Sequence, residues 1–259
     1  MFSKRLIGVV TVKQGWAVQS FGYNRYLPLG KVECLVENLD RWGADEIFIQ
    51  DIDRSLEKRG PNLELIRTVA DKGISTPIMY AGGIASLDDA LNVIGAGVER
   101  ICIDSILHSK PYIVEDIAKS LGSQAVVVSI PAVKNQYGRS VWFNYTNNQE
   151  TSLSDQVCDL FNNKFVSEII LIDKENEGKM NGFDFDLLSL FEGCNTPLVI
   201  FGGLRESEQL KVALQSKDIS AVAIGNYLSY REHEVQRMKE GLIALPLRVA
   251  SYYSEYDLN

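Results

Sequence analysis

The sequence predicts an α/β protein, a (β/α)8 TIM barrel with a twofold half-barrel internal repeat, forming a single domain over residues 1–259. The chain is written twice. Ala44-Asp45-Glu46-Ile47-Phe48-Ile49, Gly60, Leu65-Ile66 and Thr76-Pro77-Ile78-Met79-Tyr80-Ala81-Gly82-Gly83-Ile84 return as Val166-Ser167-Glu168-Ile169-Ile170-Leu171, Gly182, Leu187-Leu188 and Thr196-Pro197-Leu198-Val199-Ile200-Phe201-Gly202-Gly203-Leu204. The offset is 122 residues at the glutamates and lone glycines, and 120 at the Thr-Pro and Gly-Gly pairs. Such self-similarity fixes architecture before any single motif does. Near-continuous apolar runs alternate with helical patterns, which indicates a parallel sheet covered by helices. Eight such units in 259 residues suit one closed barrel.

In chain order, Leu6–Val12 is the first strand, and Glu46–Asp51 and Pro77–Tyr80 are the two strands of the first repeat copy. Arg100–Asp104 is the fourth. Ala125–Ile130 opens the second half, followed by Ile169–Asp173, Pro197–Phe201 and Ala221–Gly225. The helix after strand three starts Ser86-Leu87-Asp88-Asp89, a variant of the capping box. Lys134–Ser154 is polar and contains Trp142-Phe143-Asn144-Tyr145; it reads as a loop or hairpin over the active face. That face is the C-terminal end of the strands, where barrels of this kind place their reactive groups. The tail Tyr252-Tyr253-Ser254-Glu255-Tyr256 reads as peripheral.

Composition excludes several classes of function. Acidic residues outnumber basic ones 34 to 26, for a net charge of −8. No basic run or stripe appears, so neither nucleic acid nor an anionic membrane is an expected partner. Met1-Phe2-Ser3-Lys4-Arg5 leads straight into a strand and reads as neither signal peptide nor membrane span. Cys34, Cys102, Cys158 and Cys194 are scattered, as expected of reduced thiols in a cytoplasmic protein. Neither His108 nor His233 belongs to a ligand spacing, so no metal and no cofactor is expected.

Gly82-Gly83 and Gly202-Gly203 each end a strand and precede a helix, a place where backbone N–H groups and the helix dipole can receive an anion. With Gly178 and Gly225 at neighbouring strand ends, these pairs are candidate phosphate-binding positions; the alternative is turn geometry inherited from a phosphate-binding ancestor.

With the strands placed, the chain resembles the cyclase (HisF-type) subunit of imidazole glycerol phosphate synthase. The resemblance rests on Lys4-Arg5-Leu6-Ile7, Val12-Lys13-Gln14-Gly15, Gly43-Ala44-Asp45-Glu46, Gly82-Gly83-Ile84, Gly122-Ser123-Gln124, Gly178 with Gly182-Phe183-Asp184, and Gly202-Gly203. It implies a lyase of histidine biosynthesis that takes ammonia from a glutaminase partner and cyclises a bisphosphate ribonucleotide. The catalytic positions depart from that pattern. Where the family carries an acid/base aspartate at the end of strand one, this chain has Thr11; at the end of strand five it has Pro131. Neither can shuttle a proton near neutral pH, and a positioned carboxylate is worth about 10²–10⁴-fold in rate. Asp51, Asp104, Asp173 and Glu175 are the acids near enough to substitute. The phosphate positions depart too: Asp104-Ser105 replaces Asn-Thr, Phe201 replaces a serine, and Lys179 replaces a threonine after Gly178, with Asp173, Glu175 and Glu177 close by.

The opposite mouth follows the family. Arg5, Glu46, Arg100 and Glu168 stand at the starts of strands one, two, four and six, and on the family's register they face inward as a charged ammonia gate. A solvated ring of charges at the strand starts is the plainer reading. Gln50, Cys102 and Ser129 would line the interior, and Glu99 beside the gate would meet the partner. The resemblance thus implies a barrel subunit that pairs with a glutaminase as a heterodimer and conducts ammonia onward. Degenerate barrels of this kind are associated with amidino groups on surface polysaccharide sugars, which makes a sugar amidotransferase a further candidate partner. The rival is a diverged cyclase.

Overall fold

The computed structural model describes residues 4–230, 233–242 and 244–248. The start Met1-Phe2-Ser3 and the tail Tyr252–Tyr256 lie outside the described residues. The eight expected strands form within two residues of their predicted starts, though the first, third and fifth run longer at their C-terminal ends. They are β1 (Arg5–Lys13), β4 (Glu46–Asp51), β5 (Ile78–Ala81), β6 (Arg100–Ile103), β7 (Val126–Lys134), β10 (Glu168–Asp173), β11 (Leu198–Phe201) and β12 (Ile219–Ile224). All neighbouring pairs are parallel, and β12 pairs β1 while β7 pairs β10, so the sheet closes on itself.

Closure divides the apolar residues into two cores, because side chains alternate across each strand. One set fills the barrel: Ile7, Val9, Phe48, Met79, Cys102, Val127, Ile170, Val199 and Phe201 among them. The other, larger set packs the outer face of the sheet against α1 (Val32–Arg41), α3 (Leu63–Ala70), α4 (Leu87–Gly95), α5 (Tyr112–Leu121), α6 (Asp155–Asn162), α7 (Ser207–Gln215) and α8 (Glu234–Gly241). A four-residue turn of helix, α2 (Asp53–Leu56), precedes α3. The cap at Ser86 forms as expected: its hydroxyl accepts the Asp89 N–H at 3.1 Å, and the Asp89 carboxylate accepts the Ala85 N–H at 3.0 Å. One unit differs from expectation. After β10 the connection Phe185–Phe191 is 3-10 helix, not α-helix, and Asp184 caps it.

Two hairpins are inserted at equivalent places in the two halves. β2 (Trp16–Phe21) and β3 (Arg25–Gly30) follow β1; β8 (Ser140–Asn144) and β9 (Gln149–Thr151) follow β7. The second was expected from its composition. The first was not, although Gln14-Gly15, both at positive φ, is the two-residue turn that folds β2 back on β1.

The repeat also shows in backbone contacts. A methyl group built on Gly82 would lie 2.5 Å from the Asp51 carbonyl oxygen, and one on Gly202 would lie 2.5 Å from that of Asp173. The Gly-Gly pairs are therefore required by backbone approach, whatever ligand they meet.

At the lower end of the barrel α8 is tied down by a buried pair. Lys239 Nζ lies 2.5 Å from Asp45 Oδ1, both side chains 2% exposed, and Asp45 Oδ2 accepts the Leu6 N–H at 2.8 Å. Lys239→Ala should lower the free energy of unfolding by about 3–5 kcal/mol, since it strands a buried carboxylate. Adding Asp45→Asn removes that charge but keeps an acceptor for Leu6, and should recover about half the loss or more. Urea midpoints at constant slope measure both.

Candidate functional site

Strand register places the four expected charges on the inner face at the N-terminal mouth. Glu46 pairs with inward Ile7, Arg100 with inward Met79, Glu168 with inward Val127, and Arg5 with inward Ala221. There they form a ring of alternating sign. Arg5 reaches Glu46 at 2.6 Å and also bonds Glu168; Arg100 reaches Glu46 at 3.0 Å and Glu168 at 2.8 Å. Arg100 also donates to the Ser167 hydroxyl at 2.8 Å, and Ser220 donates to Glu168 at 2.5 Å. Burial raises the pKa of Glu46 despite both arginines. Burial acts the same way on Glu168, but Arg5 and Arg100 outweigh it and hold that carboxyl below its ordinary value. For Arg100 the two glutamates outweigh desolvation and raise the pKa, so the guanidinium stays charged. Glu99 is exposed beside the ring, where its carboxylate accepts the Ile78 N–H at 2.7 Å.

Above the ring the interior is mainly apolar, with buried Gln50, Cys102 and Ser129 as polar residues toward the far end. Thr11 and Pro131 both face inward at that end: Thr11 pairs with inward Gln50, and Pro131 with inward Ile172. Both are buried.

The C-terminal mouth is unequal in its two halves. Over β10–β12 it is shut. Glu177, 2% exposed, accepts the Ser20 hydroxyl at 3.0 Å and the Tyr23 N–H at 3.1 Å, and its backbone carbonyl accepts the Gly22 N–H at 2.9 Å. Asn226 exchanges two hydrogen bonds with the Ser20 backbone, at 3.1 and 2.6 Å. These bonds strap the β2–β3 hairpin across the strand ends. Phe201 fills the space beneath, so the cavity lined by Gly178, Lys179, Gly202 and Gly203 measures only about 30 Å³. That is room for about one or two waters. Asp173 is spent on its own loop, accepting from Asn176 at 3.0 and 2.8 Å and from the Asp184 N–H at 2.8 Å; Glu175 and Lys179 are exposed.

Over β4–β6 the mouth is open as a cavity of about 410 Å³, within the range of small-molecule sites. Gly82, Gly83 and Ser105 line it, together with Asp51, Asp53, Asp104, Lys13, Tyr23, Tyr26 and Tyr145. The two hairpins meet above it, Tyr23 edge-on to Tyr145 with ring centroids 5.2 Å apart. Tyr23 reaches down and donates to Gln50 at 2.8 Å. Burial pushes Asp104 up to about 7, opposed by the Ser129 hydroxyl, and pushes Asp51 up to about 6, opposed by Asn62. A carboxylate and a phosphate charge about 4 Å apart repel by roughly 4 kcal/mol at an effective dielectric of 20. The Gly83 N–H is already donated to the Ser55 hydroxyl at 3.1 Å.

A second clamp holds the β8–β9 hairpin. The imidazole of His108 stacks on Trp142, centroids 3.6 Å apart at 21°, and desolvation lowers its pKa to about 4. No group of three or more His, Cys, Asp or Glu among the described residues is arranged to hold a metal ion.

Comparison with known proteins bears on the architecture just described. The profile of the family described as "Histidine biosynthesis protein" matches residues 5–234. The chain belongs to that family. It is 28% identical, over the whole chain and 97% of the relative, to the "Putative imidazole glycerol phosphate synthase subunit hisF2" of Vibrio vulnificus. It is 29% identical, over 93% of the chain and 96% of the relative, to the imidazole glycerol phosphate synthase subunit HisF of Natranaerobius thermophilus. A Thermotoga HisF subunit is 30% identical over 93% of the chain and 95% of its own length. The protein is thus a diverged HisF-like barrel. No helix among its described residues is long and apolar enough to cross a membrane.

Within this HisF-like barrel, sequence reasoning missed Tyr23 and Tyr26, because the hairpin that carries them was not recognised. Tyr145 lay in a segment placed over the active face, but nothing in its spacing singled it out.

The His108 stack gives a pH dependence with a definite sign. A folded pKa near 4, below the ordinary 6.5, means that the unfolded chain binds the proton first as pH falls. This contribution to stability is complete above about 6.5 and lost toward about 4. His108→Phe keeps a ring on Trp142 without the titrating nitrogen. The stability of wild type minus that of His108→Phe should therefore decline between pH 6.5 and 4. Asp51 and Asp104, raised in the fold, act in the opposite direction but are common to both proteins and cancel. A difference that stays flat in urea melts across that range would refute the assignment.

Proposed function

We propose that the chain is the barrel subunit of a glutamine amidotransferase complex. In this reading a glutaminase docks on the N-terminal mouth beside Glu99, and ammonia passes the ring of Arg5, Glu46, Arg100 and Glu168 into the barrel. The nitrogen leaves at the C-terminal mouth for an acceptor system, a sugar amidotransferase making amidino groups for surface polysaccharide. One observation carries the reading: each of the four ring residues forms an ion pair with two of the others, while inward-facing Thr11 and Pro131 at the other end bear no carboxylate. Ammonia is small and neutral, so it needs a narrow path with occasional polar contacts, which Cys102, Ser129 and Gln50 supply. The Vibrio vulnificus and Natranaerobius thermophilus relatives bear names as subunits of a synthase, which agrees with a role inside a complex.

A second reading, a diverged imidazole glycerol phosphate synthase cyclase, has its own support. Asp51 and Asp104 share one cavity with pKa values of about 6 and about 7, the range suited to proton transfer at neutral pH. The two readings part on turnover. Given ammonia and the ribonucleotide intermediate, the purified chain should show negligible cyclase activity, and it should not rescue a histidine auxotroph lacking its own cyclase. Rescue that is lost on Asp104→Asn would establish the second reading instead.

The conduit is tested separately, in the complex with its glutaminase. Arg5→Ala leaves Glu168 and Glu46 with Arg100 alone; removing one partner of a buried pair costs about 3–5 kcal/mol, and the partial exposure of Arg5, 25% of its side chain, should bring the loss below that. Glutamine hydrolysis should continue while less nitrogen reaches the acceptor. The readout is glutamate formed per acceptor aminated, near one-to-one for wild type and well above it for the variant. An unchanged ratio for both Arg5→Ala and Glu168→Ala, with the complex intact, would reduce the ring to surface charges.

A further inference from the structure

The open half of the C-terminal mouth has a chemistry that neither a phosphate site nor a plain exit would need. Its lining carries three carboxylates and one lysine. That lysine is committed: Lys13 Nζ lies 3.0 Å from Asp53, and Asp53 also accepts the Gln14 N–H at 2.5 Å. Arg54, a cation that acts on Asp51 from outside the lining, donates its N–H groups to the carbonyls of Gly60 at 2.7 Å, Arg59 at 3.0 Å and Pro61 at 3.1 Å. Asp51 and Asp104 are left without an ion-pair partner among the described residues. Asp51 receives only a long contact from Asn62 at 3.4 Å, and Asp104 only the Ser129 hydroxyl.

A second observation is independent of the acids. The Tyr145 hydroxyl is buried at this cavity and has no hydrogen-bond partner among the described residues. Buried polar atoms are nearly always satisfied, so an orphan on a residue that lines the cavity is a hydrogen-bonding position that no protein group fills. The walls beside it are the rings of Tyr23, Tyr26 and Tyr145. Lys13 Nζ already sits 4.7 Å from the centre of the Tyr26 ring, so this wall accepts a cation over its face.

We propose that this cavity binds a small organic cation with N–H donors, an amidinium or primary ammonium group, held between Asp104 and Asp51 with the Tyr145 hydroxyl as a further acceptor. The carboxylates supply charge and hydrogen-bond acceptors, and the tyrosines supply polarisable faces. An anion finds neither. The other neutral polar groups are largely occupied: Gln50 accepts from Tyr23, and Asn144 accepts from Thr146 at 2.9 and 2.6 Å. The proposal stands on the cavity's own groups and holds whether or not ammonia passes the charged ring below.

Binding should depend on pH. The titratable and charged groups facing the site are Lys13, Tyr23, Tyr26, Asp51, Asp53, Cys102, Asp104 and Tyr145, with Arg54, Arg59 and Tyr80 acting on Asp51 and Glu177 beneath the hairpin. Of these, Asp51 at about 6 and Asp104 at about 7 change charge between pH 5.5 and 8. A cation must displace their protons, so affinity rises with pH.

The experiment is calorimetric titration of the purified full chain with acetamidinium chloride, methylammonium chloride, tetramethylammonium chloride and sodium phosphate. Acetamidinium and methylammonium should bind, about tenfold or more tightly at pH 8 than at pH 5.5, with proton release seen as a dependence on buffer ionisation enthalpy. Tetramethylammonium, lacking N–H donors, should bind more weakly, and phosphate should not bind. Asp104→Asn and Asp51→Asn should each weaken acetamidinium by about tenfold or more, and Tyr145→Phe by less, in variants whose melting curves show them folded. Phosphate binding without acetamidinium binding would overturn the proposal, as would equal affinity for all three cations. So would unchanged acetamidinium affinity in both aspartate variants.

Discussion

Closing eight parallel strands into a barrel leaves each strand with one inner and one outer face, and that constraint determines where every functional group of this protein can stand. The register that pairs Ile7 with Glu46 and Met79 with Arg100 puts two charges at one rim. The same register, carried up the strands, puts Thr11, Gln50 and Cys102 at the other. A slip of one residue in any strand would move its charge to the helical side and an aliphatic side chain to the mouth. Ring and cavity are thus two ends of one lattice.

The halves share a backbone plan but have come to use it differently. Both Gly-Gly pairs press against the carbonyl of a strand-end aspartate, and both halves carry a hairpin after their first strand. In the second half the space above the glycines holds Phe201 and is roofed by the strap from Glu177 and Asn226. In the first half Asp51 and Asp104 border an open cavity. Symmetry of fold therefore does not carry symmetry of site: one former twin is plugged and the other is acidic.

The barrel was legible because its cues are local and repeated: apolar runs of strand length, the 120-residue echo, and the Ser86 cap. The ring was legible too, since strand alternation alone turns Arg5, Glu46, Arg100 and Glu168 toward one mouth. What escaped depended on partners far apart in sequence. Nothing around Tyr23 announces that its hydroxyl meets Gln50, and nothing around Glu177 announces that it holds Ser20. The Gln14-Gly15 turn was readable in principle. Its flanking runs, Leu6–Val12 and Trp16–Phe21, blur into one long strand with a short polar interruption.

The strap over the mouth also sets an order of events as the chain is made. Ser20 and Asn226 are 206 residues apart, and Ser20 and Glu177 are 157 apart. At typical synthesis rates the hairpin is out of the ribosome for ~10–40 s before Asn226 follows. Throughout that interval β3, which pairs only with β2, offers a free edge to any other nascent strand. Pro28 removes one donor from that edge and Arg25 adds a charge to it, two features that discourage a foreign strand from adding on. These residues guard the half-made protein before the finished one has any use for its roof.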